Sequence, residues 1–214
     1  MPKKRRSRRK RLPSTSPIQR CPPEILSHIF LMVGGKGPLI HAEWTRRDVR
    51  FESVPGHLSQ VCRHWWMIIL STPQLWSSMS FELQANFSVF SATKAAQCID
   101  TWISRSGSCP LSVTLQIYGS NVTLSHPILQ SIQKGADRWE CLDLDIPNEL
   151  LTQLFHGVKH SLSLLKRLHL RKRWPLEGWQ YDGLQWDSDA FAYAPLLRDV
   201  QLPCYPTAIP LPLT

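Results

Sequence analysis

Four short segments that alternate between apolar and polar residues constrain this chain most. They are Leu111-Ser112-Val113-Thr114-Leu115-Gln116-Ile117, Trp139–Ile146, Leu165–Leu170 and Leu197–Leu202. Alternation with period two gives a strand one buried face and one wetter face. Aligning Leu115, Leu142, Leu168 and Val200 gives steps of 27, 26 and 32 residues. The first two steps enclose helical patterns, one over Ile128–Arg138 and one carrying Leu150, Leu151, Leu154, Phe155 and Val158. The third contains an insertion. A unit of one strand and one helix cannot bury its apolar face alone, so such units stack into a continuous core. The expectation is an irregular solenoid of strand–helix units, with another α/β packing as the alternative.

Upstream the period changes. Pro22-Pro23-Glu24 suits a helix start, because proline lacks only an N–H that would be unpaired there and glutamate favours the positive end of the dipole. Ile25, Leu26, Ile29, Phe30 and Val33 follow at helical spacings, and Gly34-Gly35-Lys36-Gly37-Pro38 ends the run. Residues 34–57 read as a surface excursion with one helical turn near Glu43–Val49. Leu58, Val61, Cys62, Trp65, Ile68 and Ile69 then form a second helical stripe. Thr72 is placed to cap a short turn that begins at Pro73 and is anchored by Leu75 and Trp76. Met79, Phe81 and Leu83 alternate with polar neighbours as a short strand. Ala92, Ala95, Ala96, Ile99, Trp102 and Ile103 make a linking helix within 84–109.

Charge is concentrated at the start. The chain has 214 residues and a net charge of +9. Residues 1–20 carry nine Lys or Arg and no acid, so the remaining residues balance to zero. A neutral body gives no general field to attract nucleic acid. Lys3, Lys4, Arg5, Arg6, Arg8, Arg9, Lys10 and Arg11 form a self-repelling basic tail, expected to be disordered. Such a cluster can dock on an acidic nuclear import receptor, bind phosphates non-specifically, or simply solubilise the chain. No apolar run succeeds it as in a signal peptide, and no run of 18 apolar residues predicts a membrane span. The six cysteines make no CxxC pair, which argues against a zinc module or a dense disulfide framework.

Two blocks carry a family resemblance. They are Pro22-Pro23-Glu24-Ile25-Leu26-Ser27-His28-Ile29-Phe30 and Leu58-Ser59-Gln60-Val61-Cys62-Arg63-His64-Trp65-Trp66, the second leading on to Pro73-Gln74-Leu75-Trp76. Together they resemble the F-box family, and are especially similar to F-box-like proteins of mushroom-forming fungi. Trp102–Leu111 is similar to the segment that comes after the box in those proteins. The resemblance implies a small three-helix module that docks on the adaptor subunit of a cullin–RING ubiquitin ligase, and beyond it a region that recognises a target protein. It assigns Pro22, Pro23, Ile25, Leu26, Ile29 and Phe30 to the first block, and Leu58, Val61, Cys62, Trp65, Leu75 and Trp76 to the second and third, as adaptor contacts or their supporting core. Cys21 stands where the family has leucine, and the 34–57 connection is longer than the family pattern.

The expected fold is thus a mainly α F-box-like module over 21–83 with an inserted loop at 34–57. A linking helix at 84–109 and an α/β, irregular, leucine-rich-repeat-like region over 110–214 complete it. The expected role is a non-enzymatic, substrate-recruiting subunit in nucleus or cytoplasm, needing no cofactor or metal. A ligase-independent nuclear scaffold and a nucleic-acid binder led by the tail are the competing classes. No hydrolase, P-loop or dinucleotide fingerprint occurs. Cys62 with His64, the pair Asp143 and Asp145, and the histidines His156, His160 and His169 are the only chemistry-bearing groupings, and each reads more simply as structure or solvated surface.

Overall fold

The computed structural model describes residues 17–34, 38, 40–44, 49–83, 89–118, 122–156, 158, 161–171, 191 and 194–202. The basic run at 3–11, and with it the nuclear-targeting expectation, lies outside them, as does His160.

Helix α1 (Pro23–Val33) starts with proline in its first turn and Glu24 at its positive end. Strands β1 (Ile40–Trp44) and β2 (Val49–Ser53) come next, then helices α2 (Val54–Ser59) and α3 (Arg63–Leu70). A 3-10 turn at Pro73–Trp76 leads into β3 (Ser78–Leu83). From there strands and helices alternate: α4 (Val89–Arg105), β4 (Leu111–Ile117), α5 (Val122–Gln133), β5 (Trp139–Asp145), α6 (Asn148–His156), β6 (Arg167–Leu170) and β7 (Asp199–Gln201).

The seven described strands join one sheet in the order β2-β1-β3-β4-β5-β6-β7. The β1–β2 pair is antiparallel and every other pair is parallel. This overturns the expectation of a mainly α module at the N-terminal end. The segment read as a looped-out insertion supplies β1 and β2, and β3 carries the sheet straight into the strand–helix region, so the chain is an α/β assembly. The physical cause is legible afterwards. In β1, Ile40, Ala42 and Trp44 alternate with His41 and Glu43, and in β2, Val49 and Phe51 alternate with Arg50 and Glu52. That is strand periodicity, diluted by charge and only five residues long in each strand. The helical turn expected near Glu43–Val49 is therefore replaced by strand at Glu43, Trp44 and Val49, while residues 45–48 are outside the described set.

The register matches the sequence alignment for Leu142, Leu168 and Val200 and differs from it by two residues at Leu115. Met79, Val113, Leu142, Leu168 and Val200 form one row, and Phe81, Leu115, Leu144 and Leu170 the next. Leu115 therefore faces Leu144, not Leu142. An offset of two keeps every residue on its face, which is why the alternation survived the misalignment. A register shift at Leu111/Ser112 leaves Glu140 as an extra residue opposite that pair.

Core formation rests on these rows. Leu111, Val113, Leu115 and Ile117 are buried while Ser112, Thr114 and Gln116 are part-exposed. Helices α4, α5 and α6 pack side by side. Lys134 Nζ pairs with Asp100 at 2.7 Å, and Gln133 Nε2 donates to the carbonyls of Gln153 and Leu154 at 3.0 Å. Trp102 of α4 stacks on both Phe81 and Phe51, with ring centroids 5.4 and 5.3 Å away. The hairpin is thus pinned to the core by aromatic contact as well as by its ladder. Gly107, at φ +57°, turns the chain out of α4, a conformation in which a side chain would be strained.

Candidate protein-docking surface

The second helical stripe of the sequence is two helices. Ser53 caps α2 by accepting from the Gly56 N–H at 2.9 Å, α2 ends at Ser59, and Cys62 is the extended residue that precedes α3. Leu58, Val61 and Cys62 therefore do not share a helix with Trp65, Ile68 and Ile69. Helices α1, α2 and α3 pack on one another. Phe30 of α1 meets Trp65 of α3 at 4.8 Å between ring centroids, tilted by 55°.

The residues assigned by the resemblance divide by burial. Leu26, Phe30, Leu75 and Trp76 are core. Trp76 also donates its indole N–H to the Ile69 carbonyl at 3.1 Å and lies under the Arg105 guanidinium, 4.5 Å from the ring centroid. Leu58, Cys62 and Trp65 are half-buried, while Pro22, Pro23, Ile25, Ile29 and Val61 are exposed. Thr72 precedes the 3-10 turn but does not cap it. Its hydroxyl donates backward to the Ile68 carbonyl at 2.7 Å, which ties the turn to the end of α3.

The exposed members have companions that the periodicity did not single out as surface. Met32, Val33, Trp66 and Met67 are 68, 61, 49 and 56% exposed. Of the ten large apolar residues exposed among the described residues, seven fall on α1, α3 and the connector before α3. Single exposed apolar residues are ordinary, but a concentration on two adjoining helices is what a docking surface looks like. The signal was present in α1. Ile25, Ile29 and Met32 form one stripe at spacings of four and three, and Leu26 and Phe30 form another beside it, so the apolar band is wider than one packed face absorbs.

A second surface is polar. The part-exposed side of the strands carries an ion-pair ladder around β6. Arg171 Nη2 donates to Asp143 at 2.5 Å, Arg167 Nε donates to Asp199 at 3.0 Å, and His169 Nε2 lies 3.3 Å from the same Asp199 oxygen. The His169 hydrogen bond, helped by Arg167, holds the Asp199 carboxyl below its ordinary range. Burial pushes the Cys98 and Cys141 thiols up, which keeps them protonated and poor as nucleophiles. Among the described residues, no three His, Cys, Asp or Glu side chains are grouped as metal ligands. No described helix is long and apolar enough to cross a membrane.

Comparison with known proteins brings no further assignment: no family model, no curated protein and no solved structure matches the chain.

Proposed function

We propose that this protein is a recruiting subunit without catalysis of its own, which docks through α1 and α3 on the adaptor subunit of a cullin–RING ubiquitin ligase. The observation that supports this reading is the cluster of exposed apolar side chains on those two helices. Burying an isoleucine or methionine at an interface contributes about 1.5–3 kcal/mol before association and ordering costs, so several such residues on adjoining helices can carry a large share of a docking energy. Within the long connection, strands β1 and β2 lie at the end of the sheet while Ile25, Ile29 and Met67 are exposed, which supports this reading. In this role the protein contributes proximity, raising the local concentration of a target near the charged conjugating enzyme. The polar side of strands β4 to β7, with its ladder of side chains, is the surface proposed to meet the target. Residues 3–11 are proposed to direct nuclear import. A fluorescent fusion lacking them should lose its nuclear enrichment, and equal enrichment without them would end that part of the proposal.

The test is co-elution of the full chain with the purified adaptor subunit. Wild type should co-elute. An Ile25→Asp, Met67→Asp double variant should lose at least about tenfold in affinity, or about 1.4 kcal/mol, with its melting temperature unchanged, because both positions are exposed. A folded wild-type chain that does not bind the adaptor defeats the ligase assignment.

A further inference from the structure

Strand β2 stands at the end of the sheet and pairs only with β1 among the described strands. Among the described residues, no strand pairs with its outer row of backbone N–H and C=O groups. Arg50, Phe51 and Glu52 are consecutive and all exposed, Phe51 at 46%. Successive strand residues point to opposite faces, so exposure of all three leaves the edge open on both sides. Among the described residues, neither Arg50 nor Glu52 has a side-chain hydrogen-bond or ion-pair partner. Phe51 is held from behind by Trp102. The edge thus presents a fixed aromatic ring between two charges of opposite sign.

We propose that β2 pairs antiparallel with β2 of a second copy of this chain, about a two-fold axis through Phe51. The sequence selects both occupant and register. With the axis at Phe51, Arg50 faces Glu52 of the second copy and Glu52 faces its Arg50, giving two opposite-charge pairs from one motif. The two phenylalanines then meet on the helix side and extend the aromatic row of Phe81, Trp102 and Phe51. An axis at Arg50 sets arginine against arginine, and one at Glu52 sets glutamate against glutamate. An axis between residues sets helix-side positions against the other face, which breaks the continuity of both layers. Each alternative loses what the Phe51 register gains.

The pairing is short, so the dimer is a weak one. Sedimentation equilibrium of the full chain tests it. The weight-average mass should rise from 24.6 kDa toward twice that value with concentration. Arg50→Glu alone and Glu52→Arg alone should each weaken association at least about tenfold, because each sets like charges opposite one another. An equimolar mixture of the two single variants should associate again, as should the double swap. Glu43 and His41 lie across β1 from the swapped positions, so each single variant also perturbs its own hairpin. The mixture carries the same perturbations, and its recovery isolates the contact between copies. A wild type that stays at monomer mass, single swaps that associate like wild type, or a mixture no better than its components would each overturn the proposal.

Discussion

Arg138 gathers the end of α4. Its guanidinium donates to the Ser106 hydroxyl at 2.9 Å, to the Ile103 carbonyl at 3.2 Å, to the Cys109 carbonyl at 3.4 Å and to the Gly107 carbonyl. Ser106 is itself buried and donates to the Ile103 carbonyl at 2.7 Å. The cation thus satisfies carbonyls that a helix end leaves unpaired and complements the negative end of the dipole. Arg138→Ala should destabilise the fold by about 2–3 kcal/mol, since the lost bonds are charge-assisted and part-buried. Arg138→Lys should recover only part of this, because an ammonium cannot span so spread a set of acceptors. Urea denaturation of the three proteins measures both effects, and an alanine variant as stable as wild type would remove this role. None of this was legible in sequence, where Arg138 is only the last residue of a helical stretch. The same limit applied to α1. Periodicity identified Ile25, Leu26, Ile29 and Phe30 as apolar and helical, but which stripe turns inward is decided by partners distant in sequence, Trp65 above all.

Elements show where local pattern suffices and where it fails. Strand β4 was legible because seven residues alternate without interruption and nothing else competes with that reading. The break between α2 and α3 was not, because Leu58, Val61 and Cys62 happen to continue the spacing of Trp65, Ile68 and Ile69. The hairpin was missed because a charged strand of five residues differs little from a loop in composition. Its strand character is fixed by pairing with β3 and by Trp102, both remote in sequence. The edge pair β6 and β7 makes a pH prediction. Asp199 is held below its ordinary pKa by His169 and Arg167. A carboxyl depressed in the folded state contributes stability that is present above its unfolded pKa and is lost as pH falls through the folded one. The β6–β7 contact should therefore loosen at acidic pH, below the ordinary carboxylate range. Hydrogen exchange at His169 and Val200, compared between neutral and acidic pH, measures this. Asp199→Asn should remove the added acid sensitivity, and an unchanged profile in that variant would contradict the attribution.

At the scale of the molecule, one sheet replaces the two modules that the sequence suggested. The rows Met79–Val113–Leu142–Leu168 and Phe81–Leu115–Leu144–Leu170 run through what was expected to be a domain boundary. Trp102 joins the hairpin to the centre of the same layer. A shared core predicts one cooperative thermal transition, with fluorescence and circular dichroism coincident. Two separated transitions would mean that the helical face formed by α1 to α3 unfolds independently of the sheet. What reaches beyond the fold is the apolar surface that those helices leave uncovered. Burial of apolar area on association carries a negative heat-capacity change, which a purely polar contact does not reproduce. The most direct measurement is calorimetric titration of the full chain with the adaptor subunit at several temperatures. Saturable binding is expected, with an enthalpy that grows more negative on warming and an affinity that Ile25→Asp, Met67→Asp lowers at least about tenfold. Absence of binding, or binding that this double variant leaves intact, would contradict the docking proposal.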